Sequence, residues 1–338
     1  MPNKILIIGD LHIKSTLSYN DYIKDGRGRE EQEVLDFIVE QSKDCNSVVL
    51  LGDNLNSKNN SADVIRKFTA FIECFENKTL YIISGNHDKK PSGESAFDYL
   101  KEVKNKNWNI VTNEVKEFNK LIFCPYFTNQ ELDSKTNEDA SKKLFKMLPD
   151  GDALFVHHAI AGSKAKETPV SIFDEIVLNK EKLTKKYKKV FAGHIHSPQV
   201  MDNVIMAGSI FPNEVNEKEK FVWKLNLDTF VVEQIKLPGR MIVGLENPTV
   251  ADLESLPKNS IVKITITDKE KKKDIDKLKE KLEQYDAGIL VENIPTERKK
   301  LHTDHNIIDL DVEGLLKLYC ESKKIEFKNI LEVFNLIK

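Results

Sequence analysis

The chain has 338 residues, 31% of them charged and 40% hydrophobic, and 51 basic against 54 acidic side chains give a formal net charge of −3. This balance is typical of a folded, water-soluble protein with room for two domains. It excludes a wholly basic nucleic-acid coat, but not a local basic face, because a phosphate backbone responds to local potential.

The cysteines and the apolar runs bear on the cellular compartment. The four cysteines are scattered without a close pair, which predicts reduced thiols and no disulfide framework: Cys45, Cys74, Cys124 and Cys320. No signal-peptide pattern opens the chain, and no apolar run approaches the roughly 20 residues of a bilayer span. We therefore expect a soluble, cytoplasmic protein that does not contact a membrane.

Over the first two hundred residues, short apolar runs alternate with amphipathic helical patterns. Strands are predicted at residues 5–8, 47–51, 79–84, 154–156 and 190–192, helices at 30–42 and 65–75, and a hairpin from 111–118 to 120–125. Strands that are apolar on both faces and alternate with helices indicate a covered α/β sheet.

The pattern changes near residues 237–239. A strand at 261–267, a helix at 271–285 and a strand at 289–292 predict a small second α/β unit, and a polar stretch then precedes two short amphipathic helices. We divide the chain into a first domain at 1–238, a small unit at 239–293, a linker at 294–309 and a helical pair at 310–338. Each closing helix is too short to be stable alone, so the pair needs a surface of this protein or of a partner.

Polar motifs follow five of the predicted strands. The candidate metal ligands in them are Asp10, His12, Asp53, Asn86, His158, His194 and His196. Ligands bind at the carboxyl ends of strands in open α/β sheets, so these distant motifs can converge. Of the adjacent pair His157 and His158, we favour His158 as the ligand because it lies further past the apolar run, and we expect His157 to be a structural neighbour.

The combined donors suit two adjacent divalent ions. One carboxylate, for which we choose Asp53, can bridge two cations, and mixed imidazole and oxygen ligation favours manganese, iron or zinc over magnesium or calcium. Such a pair suits phosphate-ester hydrolysis, because it binds phosphate oxygens and lowers the pKa of a bridging water. His87 could then protonate the leaving oxygen, with Asp88 orienting its imidazole.

Each motif also has an ordinary explanation. Asp10 and His12 could form a surface pair, residues 85–88 could be only a turn, and the histidine pair could be a satisfied core group. Five such motifs at five strand ends favour the metal site.

In this order the motifs resemble the calcineurin-like metallophosphoesterase superfamily, over about residues 4–235. The resemblance implies a two-layer β-sandwich flanked by helices, with His87 as general acid at a dinuclear site. By that resemblance one metal would be held by Asp10, His12, Asp53 and His196, and the other by Asp53, Asn86, His158 and His194.

A narrower resemblance concerns the SbcD family of double-strand-break nucleases, above all its compact phage members. Residues 85–88, 206–210 and 221–225, the unit at 240–292 and the closing helices carry it. It implies a capping unit that touches DNA, a homodimer, and C-terminal helices that dock on an SbcC-like coiled-coil ATPase. Asn56 stands where this family usually has His or Asp. Candidate substrate contacts are Lys14, Arg27, Arg29, Asn56 and the cluster at residues 180–189, for which a solvated helix face is the alternative.

Three functions therefore remain open. The first is a two-metal DNA exonuclease or endonuclease, with manganese favoured and magnesium, iron or zinc as alternatives. It would act on duplex ends in recombination, repair or replication, in the host cytoplasm if the gene belongs to a phage. The second is a small-molecule phosphodiesterase or phosphatase. The third is a DNA-end-binding scaffold with dispensable catalysis, although buried carboxylates and imidazoles without a metal would be costly.

Overall fold

The structure is a computed structural model that describes residues 3–292, apart from 24–25, 91–92, 104, 166–167, 218, 258–259 and 286, together with Cys320. Almost all of the predicted linker and C-terminal helical pair lies outside the described residues.

The described residues form strands and helices in mixed order. The strands are β1 (Lys4–Ile8), β2 (Ser47–Leu50), β3 (Thr79–Ile83), β4 (Trp108–Val111), β5 (Lys116–Phe118), β6 (Leu121–Cys124), β7 (Ala153–Val156), β8 (Ala159–Ile160), β9 (Lys164–Ala165), β10 (Thr168–Pro169), β11 (Val177–Leu178), β12 (Lys189–Ala192), β13 (Gln199–Met201), β14 (Val204–Met206), β15 (Phe221–Asn226), β16 (Val232–Lys236), β17 (Ile242–Glu246), β18 (Ile261–Ile266) and β19 (Ala287–Glu292). The α-helices are α1 (Gly28–Gln41), α2 (Ala62–Glu73), α3 (Asn137–Met147), α4 (Lys180–Lys186), α5 (Val250–Glu254) and α6 (Ile275–Leu282). Short 3-10 helices span Asn20–Tyr22, Asp98–Glu102 and Lys269–Asp274.

Two six-stranded mixed sheets make the main body. The first has the order β16-β15-β1-β2-β3-β4, in which β1 to β4 are parallel and β15 and β16 antiparallel. The second has the order β13-β14-β12-β7-β6-β5, with parallel strands β14, β12, β7 and β6 at its centre. The carboxyl ends of the parallel strands are therefore available as a site edge in both sheets.

Alternating side chains divide the core into layers. In β1, Ile5 and Ile7 lie in the cluster shared with Phe155 of the second sheet, whereas Leu6 and Ile8 lie in a cluster with α1 and α2. The second sheet packs its other face against α3 and α4. The two-layer sandwich flanked by helices that the sequence predicts is thus confirmed.

The predicted hairpin is placed differently from expectation. Residue 111 ends β4, which pairs with β3 in the first sheet, and the hairpin itself joins β5 to β6 in the second sheet. Asn119 and Lys120 connect those two strands with φ values of 52° and 64°. Such left-handed residues are what a two-residue hairpin turn requires.

The region after residue 240 contains a separate three-stranded parallel sheet of β17, β18 and β19, with α6 packed against it. The strands predicted at 261–267 and 289–292 correspond to β18 and β19, whereas β17 and α5 were not predicted. The division of the chain into domains stays a prediction. Among the described residues, no helix is long and apolar enough to cross a bilayer.

Candidate metal centre

All of the predicted ligands except His158 converge where strands of the two sheets end. Asp10 follows β1, Asp53 follows β2 and Asn86 follows β3, while His157 and His194 follow β7 and β12 of the second sheet. Hydrogen bonds join these turns directly, since the His12 amide donates to the Asp53 carbonyl (2.8 Å) and the His194 amide to the Asp10 carboxylate (3.1 Å).

The backbone of the site is unusual for non-glycine residues. His12, Asp53 and His194 have φ values of 45°, 46° and 80°. Left-handed conformations cost free energy in L-residues and tend to cluster where structure serves a site. The three side chains therefore reach the site at a cost in backbone conformational free energy.

One ligand group comprises Asp10, His12 and His196, with Asp53 beside it. The Nε2 atoms of His12 and His196 are 3.0 Å apart. The Asp53 Oδ2 atom is 3.8 Å from Nε2 of His12, and the Asp10 Oδ2 atom is 3.9 Å from Nε2 of His196. Two imidazoles and two carboxylates thus face a common point.

The other ligand group comprises Asp53, His157 and His194, with the Asn86 amide between them. The Asn86 Oδ1 atom is 3.2 Å from Nε2 of His157 and 3.0 Å from Nδ1 of His194. The Asp53 Oδ1 atom is 3.4 Å from Nε2 of His157. Asp53 therefore presents one carboxylate oxygen to each group, as a bridging ligand would.

The structure places His157, and not His158, in this group, which corrects the choice made from sequence. His158 is buried, accepts a hydrogen bond at Nε2 from the Phe127 amide (3.0 Å) and stacks on the Tyr126 ring. Burial lowers the pKa of His158 well below its ordinary value. His157 is thus the ligand candidate, and His158 is the neutral structural neighbour.

The proton arrangement fits a cation at the second group. Nδ1 of His157 donates to the Leu51 carbonyl (2.7 Å), and Nε2 of His194 donates to the Glu175 carboxylate. In a neutral ring each opposite nitrogen then carries a lone pair, and both lone pairs face the Asn86 oxygen. Because acceptors that face one another repel, either a proton on His157 or a metal ion between the acceptors is needed to satisfy these groups.

Charges in the site respond to burial and to one another. Burial lowers the pKa of His157, but the Asp53 and Asp10 carboxylates outweigh it and raise that pKa to about 9. Burial raises the pKa of Asp10 to about 7 and lowers that of His12 to about 3. Burial would also raise the pKa of Asp53, yet His157 and His12 hold it below its ordinary value. A proton and a metal ion would therefore compete for Nε2 of His157.

His87 lies at the exposed rim of the site. Its backbone amide donates to the Asp53 carboxylate (2.8 Å), and its ring lies edge-on to that of His12, with centroids 5.0 Å apart. Nδ1 is 3.0 Å from the Asn56 carbonyl oxygen, to which it can donate. Nε2 is therefore the nitrogen left for substrate. The Asn56 backbone, rather than its side chain, orients this imidazole.

Asp88 has a different role from the one predicted. Its buried carboxylate accepts from the amides of Gly85 (2.8 Å), Leu55 (2.9 Å) and Asn54 (3.2 Å). Burial raises its pKa to about 7. Asp88 thus joins the turns after β2 and β3, which corrects the expected contact with the His87 ring.

One predicted DNA contact is not accessible. Arg27 is fully buried and donates to both oxygens of Glu30 (2.9 and 2.6 Å) and to the Ser18 carbonyl (2.7 Å). This internal ion pair corrects the prediction of Arg27 as a substrate contact.

The other candidate contacts lie at the surface. Lys14 is partly buried and donates to Ser18 and Asn213, both at 2.9 Å, whereas Arg29 and Asn56 are exposed. The basic cluster at residues 180–189 covers α4, and Lys180 and Lys188 pair with Asp202 and Asp152. This ion-paired face agrees with the solvated alternative.

Sequence reasoning missed two partners of the ligand histidines: the Leu51 carbonyl and the Glu175 carboxylate. A backbone carbonyl leaves no residue-type signal. Glu175 lies 19 positions before His194, in a segment without a motif, so only the folded chain reveals it.

Comparison with known proteins gives a family match. Residues 3–198, more than half of the chain, match a family model described as calcineurin-like phosphoesterase. One crystal structure is 13% identical, with a TM-score of 0.42, and the alignment covers 70% of this chain and 100% of that chain. A structure described as a novel archaeal phosphodiesterase is 15% identical, with a TM-score of 0.35 and coverage of 69% and 99%. No curated protein matches.

Proposed function

The chain belongs to the calcineurin-like phosphoesterase family, which indicates a metal-dependent phosphoester hydrolase, and from that premise we propose that it hydrolyses phosphodiester bonds of DNA. The observation that carries the hydrolytic part is the Asp53 carboxylate, whose two oxygens face two separate ligand groups. Two divalent ions held there would bind phosphate oxygens and lower the pKa of the attacking water.

The protein's own residues account for the remaining chemistry. Asp10, His12 and His196 would hold one ion beside Asp53. Asn86, His157 and His194 would hold the other. His87, in its imidazolium form, would keep Nδ1–H on the Asn56 carbonyl and donate the Nε2 proton to the leaving oxygen. We propose manganese as the physiological metal because nitrogen and oxygen donors are mixed.

Several features support DNA as the substrate. The motifs at residues 85–88, 206–210 and 221–225 are those on which the SbcD resemblance rests. The three-stranded sheet packs Ile242, Ile261 and Ile289 against Tyr19 and Ile23, on the segment that continues from Lys14. A long polymer has room to contact both the exposed rim at His87 and this three-stranded sheet.

The direct test uses the full chain with Mn²⁺ and four substrates: end-labelled linear duplex DNA, closed circular duplex, single-stranded DNA and bis(p-nitrophenyl) phosphate. We expect cleavage of linear DNA that is lost with EDTA and in Asp53→Asn. Hydrolysis of the small diester with every DNA left intact would refute the DNA proposal and favour a small-molecule phosphodiesterase. Metal-dependent DNA binding without any hydrolysis would favour a scaffold.

We also propose that the protein works as a homodimer with an SbcC-like coiled-coil ATPase, to which residues 310–338 would attach. Deletion of these residues should abolish co-purification with the candidate ATPase. Manganese-dependent hydrolysis of bis(p-nitrophenyl) phosphate should stay within about threefold, because the ligand groups lie before residue 200. Co-purification that survives the deletion would contradict this attachment.

A further inference from the structure

Glu175 contacts a candidate metal ligand from outside both ligand groups. Its Oε2 atom accepts a hydrogen bond from Nε2 of His194, the nitrogen that faces away from Asn86. Both side chains are largely shielded, with exposed fractions of 27% for Glu175 and 18% for His194. A carboxylate and an imidazole in this position interact more strongly than they would in open water.

The contact fixes the proton of the His194 ring. An ionised carboxylate can only accept, so the shared proton must come from Nε2. Nδ1 of a neutral ring then holds a lone pair, and it lies 3.0 Å from the Asn86 oxygen at the second ligand group. Without Glu175 the ring could place its proton on either nitrogen, and the tautomer with the proton on Nδ1 cannot bind a metal there.

Glu175 also fixes where the ring points. His194 meets the His157 ring edge-on, with centroids 5.4 Å apart, and the Tyr126 ring at 6.0 Å. These two rings limit the space around the His194 ring but do not fix its rotation about the Cβ–Cγ bond. The hydrogen bond to Glu175 supplies that missing constraint.

The residues around Glu175 divide between solvent and core. Phe173, two residues earlier, is 92% exposed, and Asp174 is exposed too, whereas Ile176 on the other side is buried in the core of the second sheet. Among the ring nitrogens of His87, His157 and His194 that point away from the ligand groups, those of His87 and His157 face neutral carbonyls. Of these three outward nitrogens, only that of His194 donates a hydrogen bond to a carboxylate.

We infer that Glu175 is a positioning residue for the second metal ion: it holds His194 in the Nε2–H tautomer and directs Nδ1 at that ion. The inference rests on the proposed metal-dependent function but not on DNA as the substrate. A carboxylate behind a ligand imidazole increases its basicity, and loss of such a partner typically weakens metal binding by about 10- to 100-fold. We expect weaker binding of only one of the two metal ions.

The test is calorimetric titration of the metal-free full chain with Mn²⁺, without any substrate. In Glu175→Ala we expect one of two binding steps to weaken by about 10- to 100-fold and the other to change little. The weakened step should be the one that disappears in His157→Ala. Glu175→Gln, whose amide oxygen can still accept from Nε2–H, should fall between Glu175→Ala and the parent protein.

Asp174→Ala is the matched control, because it removes the neighbouring exposed carboxylate and should leave both steps unchanged. The unfolding temperature of metal-free Glu175→Ala should stay within about 2 °C of the parent value, since the partly exposed Glu175 side chain lies outside the hydrophobic core and its buried neighbour Ile176 is unchanged. Equal weakening of both steps, an unchanged titration, or a parent chain that binds no Mn²⁺ would overturn the inference. A parent chain that binds two ions but cuts no DNA would refute only the proposed substrate.

Discussion

At the scale of single residues, the pair His157 and His158 shows how strand alternation selects a ligand. Phe155 packs between the sheets and Val156 toward the helices, so His157 continues the inner face and His158 the outer one. Counting residues past the apolar run pointed to His158. The same sequence, read for alternation, would have identified His157.

Replacing these two histidines separately should give opposite results. His157→Ala removes an imidazole of the second ligand group, so we expect one Mn²⁺ to be lost and diester hydrolysis to fall at least about 100-fold. In His158→Gln the amide oxygen still accepts from the Phe127 amide, and activity should stay within about fivefold. Metal content and hydrolysis rates measured on both proteins check this, and a larger loss in His158→Gln would restore His158 as the ligand.

For His87, the leaving group distinguishes a general acid from a metal ligand. A poor leaving group, such as the sugar oxygen of DNA, needs a proton, whereas p-nitrophenolate does not. His87→Gln should therefore lower cleavage of DNA by about 100-fold or more. Hydrolysis of bis(p-nitrophenyl) phosphate should change less than about fivefold, and Mn²⁺ binding should be unchanged. Equal losses on the two substrates would contradict the role as acid.

The residue types of the site could be predicted from sequence because each polar motif directly follows an apolar run. Contacts between distant positions could not. The burial of Arg27 depends on Glu30 and Ser18, and the partner of His194 comes from a segment without a motif. Such contacts are decided by the packing of whole elements.

At the scale of elements, glycines in the strand-end turns allow side chains of the site to approach the backbone. A Cβ atom on Gly85 would lie 2.1 Å from the Asp53 Oδ1 atom and 2.3 Å from the Asp53 nitrogen. Gly52 has a φ of +97°, and a Cβ there would lie 2.4 Å from Nδ1 of His157. The turns after β2 and β3 can therefore close on each other only without side chains at these positions.

Gly85→Ala should displace the Asp53 carboxylate by a substantial fraction of an ångström. Because small misplacements of reacting groups are costly, we expect diester hydrolysis to fall by about 100-fold. Gly28→Ala is the control, since its Cβ would meet nothing within 4 Å at the start of α1. The control should keep full activity and gain up to about 1 kcal/mol of unfolding free energy. Steady-state rates and urea unfolding of both variants test this, and an active Gly85→Ala would contradict the close packing.

Elements with long apolar patterns were predicted closely, including β1, β2, β3, α1 and α2. The first strand of the predicted hairpin was drawn too long, because the segment 111–118 contains the end of β4 as well as all of β5, and these two strands belong to different sheets. The two-residue strands β8 to β11 are too short to show any period. Sequence periodicity thus predicts the layers, while sheet membership depends on tertiary pairing.

At the scale of the whole molecule, Glu30 connects the main body to the segment that enters the three-stranded sheet. Its carboxylate accepts from Arg27 and also from the backbone and Nε of Arg240, at 3.1 and 3.0 Å. Burial would raise the pKa of Glu30, but Arg27 and Arg240 outweigh it and lower that pKa. The ion pair therefore stabilises the fold at neutral pH, and this contribution is lost as the pH falls below the ordinary value of 4.5 toward the folded pKa.

Glu30→Ala leaves the Arg27 guanidinium buried without its carboxylate, and we expect the unfolding free energy to fall by about 3–5 kcal/mol. Glu33→Ala, an exposed change on the same helix, should alter it by less than about 0.5 kcal/mol. Urea unfolding at pH 7 measures the unfolding free energy of both variants. Amide hydrogen exchange in β17 should become faster only in Glu30→Ala. Equal stability of the two variants would contradict the link.

The two ligand groups draw on both sheets, since Asp10, Asp53 and Asn86 come from one and His157 and His194 from the other. An ion coordinated by both sets would hold together two sheets that otherwise meet through an apolar interior and through hydrogen bonds at the strand ends. Removal of the metal would then abolish hydrolysis and also weaken the contact between the two sheets. A chelator would therefore lower the temperature of unfolding. The same few coordination bonds would thus support both catalysis and the stability of the fold.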